Sequence, residues 1–238
     1  MRDCGGDAGA RATCVDGMHD LGKLLRELVR RTNTYFQSGP GSANLLFANA
    51  GTAQQRDRNR RAATAAWELQ RLRLELEKQA IPPLGPALGK YLYQRGFQSA
   101  VCVHKTSVFL HLCQQSSELG QLIDALYLVG TAESQLGDHA FAVVRERATA
   151  SSPAQYGSIA DMCQASTASG LWIGDAWAEV ACPVQEYPGE IQRAAVLAQG
   201  TGLGVGASAQ EAKNFDHMLW VVRVLQSAPE VHEYPARV

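Results

Sequence analysis

No run of apolar residues in this chain approaches the roughly 20 that a membrane-spanning helix requires, so no transmembrane segment is expected. Neither sign of charge is in excess, with 22 Lys and Arg against 23 Asp and Glu and a formal net charge of −1. That balance argues against a nucleic-acid binder, which ordinarily carries a basic surplus on one face. Met1 to Gly22 contains no apolar h-region, so no cleavable signal peptide is expected. The six cysteines, Cys4, Cys14, Cys102, Cys113, Cys163 and Cys182, include no C-x-x-C pair, which disfavours zinc ribbons and fingers. Their irregular spacing in a chain of 238 residues disfavours a disulfide framework as well. Buried thiols in a reducing compartment are the plainer expectation. No metal or cofactor is called for, and no repeat of 20 to 50 residues is visible.

What is present suffices for a core. Hydrophobic residues make up 46% of the chain, and the length suits one domain or one domain with a helical annex. Residues 1–17 lack periodic apolar positions and read as a flexible leader. Leu21, Leu24, Leu25 and Leu28 fall at helical spacing within Met18–Arg31. Asn33 to Gly51 reads as a loop. Gln55–Gln79 reads as a second helix whose stripe is Trp67, Leu69, Leu72 and Leu76. Its Arg56, Arg58, Arg60 and Arg61 fit a solvated face better than an anion-binding patch. Pro82-Pro83 should end that helix and Pro86 open the next.

Beyond Gly96 the texture changes. Ala100–Gln115 looks helical, Gln121–Val129 passes from helix into strand, and Ala140–Val144 is a wholly apolar strand candidate. A Ser- and Gln-rich connection follows over Ser151–Ser169. Leu171–Ile173 and Ala178–Cys182 read as strands paired across a turn at Gly174–Trp177. Gly189–Ala198 reads as helix, and Met218–Leu225 is apolar without a decisive period. Helices first, then a helix beside several strands, is an α+β order.

A thiol enzyme needs a cysteine that ionises readily, an imidazole to move its proton, and a group that orients the imidazole. Cys102 suits the first role. Ser99 is placed to cap the helix, which puts Cys102 in the first turn, where the helix dipole favours a thiolate. Cys113 lies among Leu110 and Leu112 and reads as core. His139 suits the second role, held at the edge of the strand that begins at Ala140. Asp175 suits the third, an acidic residue at the end of one hydrophobic strand that needs a partner such as an imidazole on the next. Singly, each has a bland reading as packing, satisfied polar group or turn residue.

The chain order of Cys102 at a helix start, then Asp138-His139-Ala140-Phe141 leading a hydrophobic strand, then Leu171-Trp172-Ile173-Gly174-Asp175-Ala176-Trp177, resembles papain-like cysteine hydrolases of bacterial toxins and secreted effectors. That group includes the catalytic domain of the Pasteurella dermonecrotic toxin and the Shigella glutamine-deamidase effector. The resemblance covers Gly96 to Cys182. It implies a papain-like α+β fold in which N-terminal helices precede a catalytic helix packed on an antiparallel sheet. The parts would be a leader over 1–17, a helical part over 18–95 and a catalytic part over 96–238, or one continuous domain from residue 18. It also implies Cys102 as nucleophile, His139 as general base and acid, and Asp175 as orienter. Gln98 is the nearest counterpart of an oxyanion-donating glutamine upstream of the nucleophile. The substrate would be a host protein, attacked at a peptide bond or at a glutamine side chain. Delivery would be into a host cell without a cleavable signal.

Rival motifs are weaker. Gly202-Leu203-Gly204-Val205-Gly206-Ala207 matches a dinucleotide-loop pattern, but no clear strand feeds it. His104, His111 and Cys113 share a helix, where the two histidines stand two turns apart and would need other ligands to hold an ion. Asp216-His217 has no nucleophile attached to it. The alternative function class is a noncatalytic protein-binding module that docks through Met18–Arg31 and Gln55–Gln79.

Overall fold

A strand made only of apolar residues must be covered on both faces, and Ala140 through Val144 are all buried. The computed structural model describes residues 8–36, 51–81, 84–96, 100–131, 139–200, 219–224 and 231–233. Its helices are α1 (Ala8–Tyr35), α2 (Ala53–Gln79), α3 (Gly85–Arg95), α4 (Cys102–Gln115), α5 (Ser117–Leu122), α6 (Ile159–Gln164) and α7 (Tyr187–Gly200). Its strands are β1 (Ile123–Thr131), β2 (Ala140–Glu146), β3 (Leu171–Asp175), β4 (Val180–Pro183), β5 (Leu219–Val224) and β6 (Val231–Glu233). They form one sheet in the order β4-β3-β2-β1-β5-β6, and every adjacent pair is antiparallel. The architecture is α+β.

Strand alternation divides the core in two. Ala140, Ala142 and Val144 of β2 join Trp172 of β3 and the apolar stripes of α1 to α5. Phe141 and Val143 face the other way, with Ile173 and Cys182, onto α6, Tyr187 and Ile191. The first cluster runs from Leu21 in α1 to Val224 in β5, so N-terminal helices and sheet share one hydrophobic core.

Several elements differ from the sequence reading. α1 begins at Ala8, so Ala8–Gly17 is helical where a flexible leader was expected. Ala8, Ala10, Arg11 and Ala12 are strong helix formers and need no apolar stripe to continue an existing helix. The same helix runs on through Asn33 to Tyr35, the start of the expected loop. The undecided segment at Met218–Leu225 contains β5, which pairs with β1 from Leu126↔Val224 to Thr131↔Leu219. β3 extends through Asp175, so the turn to β4 is Ala176–Glu179, with Glu179 in the left-handed region at φ 61°.

Two close approaches seat α4. A Cβ built on Gly89 of α3 would stand 1.9 Å from the Ser107 carbonyl oxygen, so the two helices meet backbone to backbone. A Cβ on Gly174 of β3 would stand 2.4 Å from Phe109, so this glycine admits the Phe109 ring to the sheet.

Candidate active site

The first turn of α4 carries Cys102. Val101 is the extended residue at the cap, and its carbonyl accepts from the amides of His104 and Lys105. Cys102 is therefore the first helical residue, a position whose N–H has no intrahelical acceptor and which lies at the positive end of the helix dipole. The expected Ser99 cap lies outside the described residues, and Val101 makes no side-chain cap.

Two anchors set the direction of α4 across the sheet. Thr106 Oγ1 donates to the Ala140 carbonyl at 2.9 Å. One turn further on, Phe109 packs on Gly174, which pairs with Ala142. The helix thus advances along β2 from Ala140 toward Ala142. Cys102 lies on the same stripe, one turn before Thr106 and about 6 Å back along the axis. At about 3.3 Å per strand residue, that carries it just past the start of β2, to the level of His139. The thiol residue is half-buried, whereas Cys113, Cys163 and Cys182 are buried free thiols. Burial pushes all three up, Cys163 to about 12, which leaves them inert as nucleophiles.

His139 immediately precedes β2 and is 4% exposed. Its ring lies 5.4 Å from Trp177, edge to face, and 5.7 Å from Phe141. Its Nε2 is 2.9 Å from Asp175 Oδ2, across the antiparallel pairing of β2 with β3. Asp175 is wholly buried. Its Oδ1 accepts from the backbone amides of Trp177 at 2.9 Å and Ala178 at 3.0 Å, so the turn after β3 caps the carboxylate. Its Oδ2 also accepts from the Tyr187 hydroxyl at 2.8 Å.

Burial alone would raise the Asp175 carboxyl. The charge on His139, the imidazole hydrogen bond, the Ala178 amide and the Tyr187 hydroxyl outweigh it together and hold the group below its ordinary value. An ionised carboxylate only accepts, so Nε2 of His139 carries a proton. The other nitrogen, Nδ1, is then the base of the neutral ring.

The three candidate residues thus stand at one end of the sheet. His139 and Asp175 are in direct contact, and Cys102 reaches their level on α4. Gln98 lies outside the described residues, as do the Gly202–Ala207 motif and Asp216-His217. Among the described residues, no group of His, Cys, Asp and Glu is arranged to hold a metal ion, and no helix is long and apolar enough to cross a membrane. Arg60 faces Asp57 at 3.7 Å and Arg56 donates to the Gly51 carbonyl at 2.9 Å, both on the solvated side of α2.

Tyr187 is the site residue that sequence reasoning missed. Its signal is faint: it opens α7 in the second core layer, where an isolated tyrosine reads as packing. Compared with family models, curated proteins and solved structures, the chain matches none.

Proposed function

We propose that this protein is a papain-like cysteine hydrolase that cleaves amide bonds in a protein substrate, with Cys102 as nucleophile, His139 as general base and acid, and Asp175 as orienter. The buried His139–Asp175 contact carries the reading. An ionised carboxylate in the core with its partner imidazole at 2.9 Å costs desolvation, and core packing has no need of it. The sequence resemblance to effector hydrolases supports the same assignment.

In the first step, Nδ1 of His139 takes the Cys102 proton and the sulfur attacks the carbonyl carbon. Asp175 stabilises the imidazolium and keeps the ring from turning. The Cys102 amide, at the helix start, supplies one donor to the developing oxyanion. The C–N bond breaks as the imidazolium gives its proton to the leaving amine or ammonia. His139 then deprotonates a water that attacks the thioester, releasing a carboxylic acid and restoring the thiol. A peptide bond and a glutamine side chain are both served by this sequence of steps. The resemblance carries the further proposal that the substrate is a host protein met inside a host cell.

The test is the rate of iodoacetamide modification at Cys102, read on its tryptic peptide so that other cysteines do not contribute. At pH 6 we expect modification at least ten times faster than that of free cysteine, collapsing to the free-cysteine rate or below in His139→Ala. A wild-type Cys102 that reacts no faster than free cysteine would overturn the proposal.

A further inference from the structure

The buried Asp175 carboxylate meets four donors, which matches the roughly four lone-pair sites of an ionised carboxyl group. The Trp177 and Ala178 amides donate to Oδ1, and the His139 imidazole and the Tyr187 hydroxyl share Oδ2. Oδ2, His139 Nε2 and the Tyr187 oxygen form a triangle with sides of 2.8, 2.9 and 3.3 Å, whose longest side joins phenol and imidazole. The hydroxyl is thus spent chiefly on the carboxylate.

Packing accounts for the Tyr187 ring but not for its hydroxyl. The residue is 1% exposed, its ring centroid lies 5.5 Å from that of Phe141, and phenylalanine would fill the same space. A donor on a carboxylate favours its charged form and leaves it a weaker base. Two donors on one oxygen therefore divide the charge that Asp175 offers to the imidazolium. Asp175 from β3 and Tyr187 from α7 face the His139 ring, and Cys102 stands at its level on α4. Lys105, further along α4, turns its ammonium to Asn33 of α1 at 3.0 Å.

Resting on the assignment of His139 as general base and acid, we propose that Tyr187 is a positioning residue: by holding Oδ2 it weakens the grip of Asp175 on the imidazolium, so that His139 can give up the proton it has taken. An acid and base catalyst serves best when it binds its proton neither too weakly nor too firmly at the working pH. A carboxylate buried beside it with a free lone pair would err toward the firm side. Tyr187 touches neither thiol nor substrate in this role and acts through Asp175.

The test is the titration of His139, followed by NMR on the full chain with labelled histidine and assigned by its loss in His139→Gln. Cys102→Ser serves as the background, so that no thiol shares the titration. Tyr187→Phe should make His139 hold its proton about three- to tenfold more tightly, a midpoint about 0.5 to 1 pH higher. Tyr187→Leu, which also lacks the hydroxyl, should move it in the same direction, so the reading does not depend on one variant. In Asp175→Asn the same Tyr187→Phe change should leave the midpoint where it is. A midpoint unmoved or lowered by Tyr187→Phe, as for a residue that only packs, overturns the proposal. So does a rise that persists in Asp175→Asn. The titration needs no reactive thiol, so its failure is distinct from failure of the iodoacetamide test.

Discussion

The Tyr187 hydroxyl donates to Asp175 and lies 3.3 Å from His139 Nε2, so one phenol touches both members of the acid–imidazole pair. Tyr187→Phe keeps the ring in the core and removes only the shared hydroxyl. We expect a stability loss of about 1–2 kcal/mol in urea unfolding and a Cys102 modification rate reduced less than about tenfold, because two backbone amides still hold the carboxylate. His104 gives a prediction of the opposite sign. Its pKa is depressed in the folded chain, so the unfolded chain binds more protons as pH falls from about 6.5 to about 4, and stability falls over that window. His104→Leu should flatten the fall in melting temperature between those pH values and stabilise the chain at neutral pH. An unchanged pH profile would show that His104 is not buried neutral. At this scale the sequence was informative where order and neighbours reinforced each other. The His139–Asp175 contact and the place of Cys102 at a helix start were legible because a helix start, a strand start and a strand end bracket these residues. Tyr187 reaches the pair from twelve residues beyond Asp175, through a fold that brings the start of α7 back under β3, and no local pattern announces that return.

The seat of α4 on β2 and β3 sets the level of the thiol residue along the sheet. Gly174 is its narrowest point. Gly174→Ala should drive its methyl into the Phe109 ring and cost about 1–3 kcal/mol. Phe109→Leu in the same chain should recover part of that loss, so the double variant is less destabilised than the two single changes added together. Strict additivity in denaturant melts would mean that the ring and the strand do not meet. β2, β3 and β4 were readable as strands because they are short, wholly or alternately apolar, and bounded by turn residues. β5 was not, since Leu219 to Val224 is equally apolar as a buried helix, and only its pairing with β1 decides. The N-terminal extension of α1 was hidden for a different reason: alanine promotes a helix without leaving an amphipathic trace.

For the molecule as a whole, the buried carboxylate sets a limit on acid tolerance. The Asp175 carboxyl is held below its ordinary value of 3.8, so its contribution to stability is full above that pH and is lost as pH falls through the lower folded value. Asp175→Asn should lower the melting temperature at pH 7 and shrink the gap to wild type below about pH 3.5, measured by circular dichroism. A gap that stays constant with pH would mean that the carboxylate is not ionised in the folded protein. Cys113→Ser, which places a hydroxyl in the common core, should cost about 1–3 kcal/mol while leaving Cys102 modification unchanged.

Cys102 begins its helix, His139 precedes its strand and Asp175 ends its own, and in an antiparallel sheet those positions fall at the same end. Thr131 ends β1, Val180 begins β4 and Leu219 begins β5 at that same end. The three candidate residues are thus anchored to element ends that the core holds in place. On the proposed reading, descent with variation would hold these three element ends fixed, because each is set by packing in the layer beneath it, and would change the sequence fastest between them.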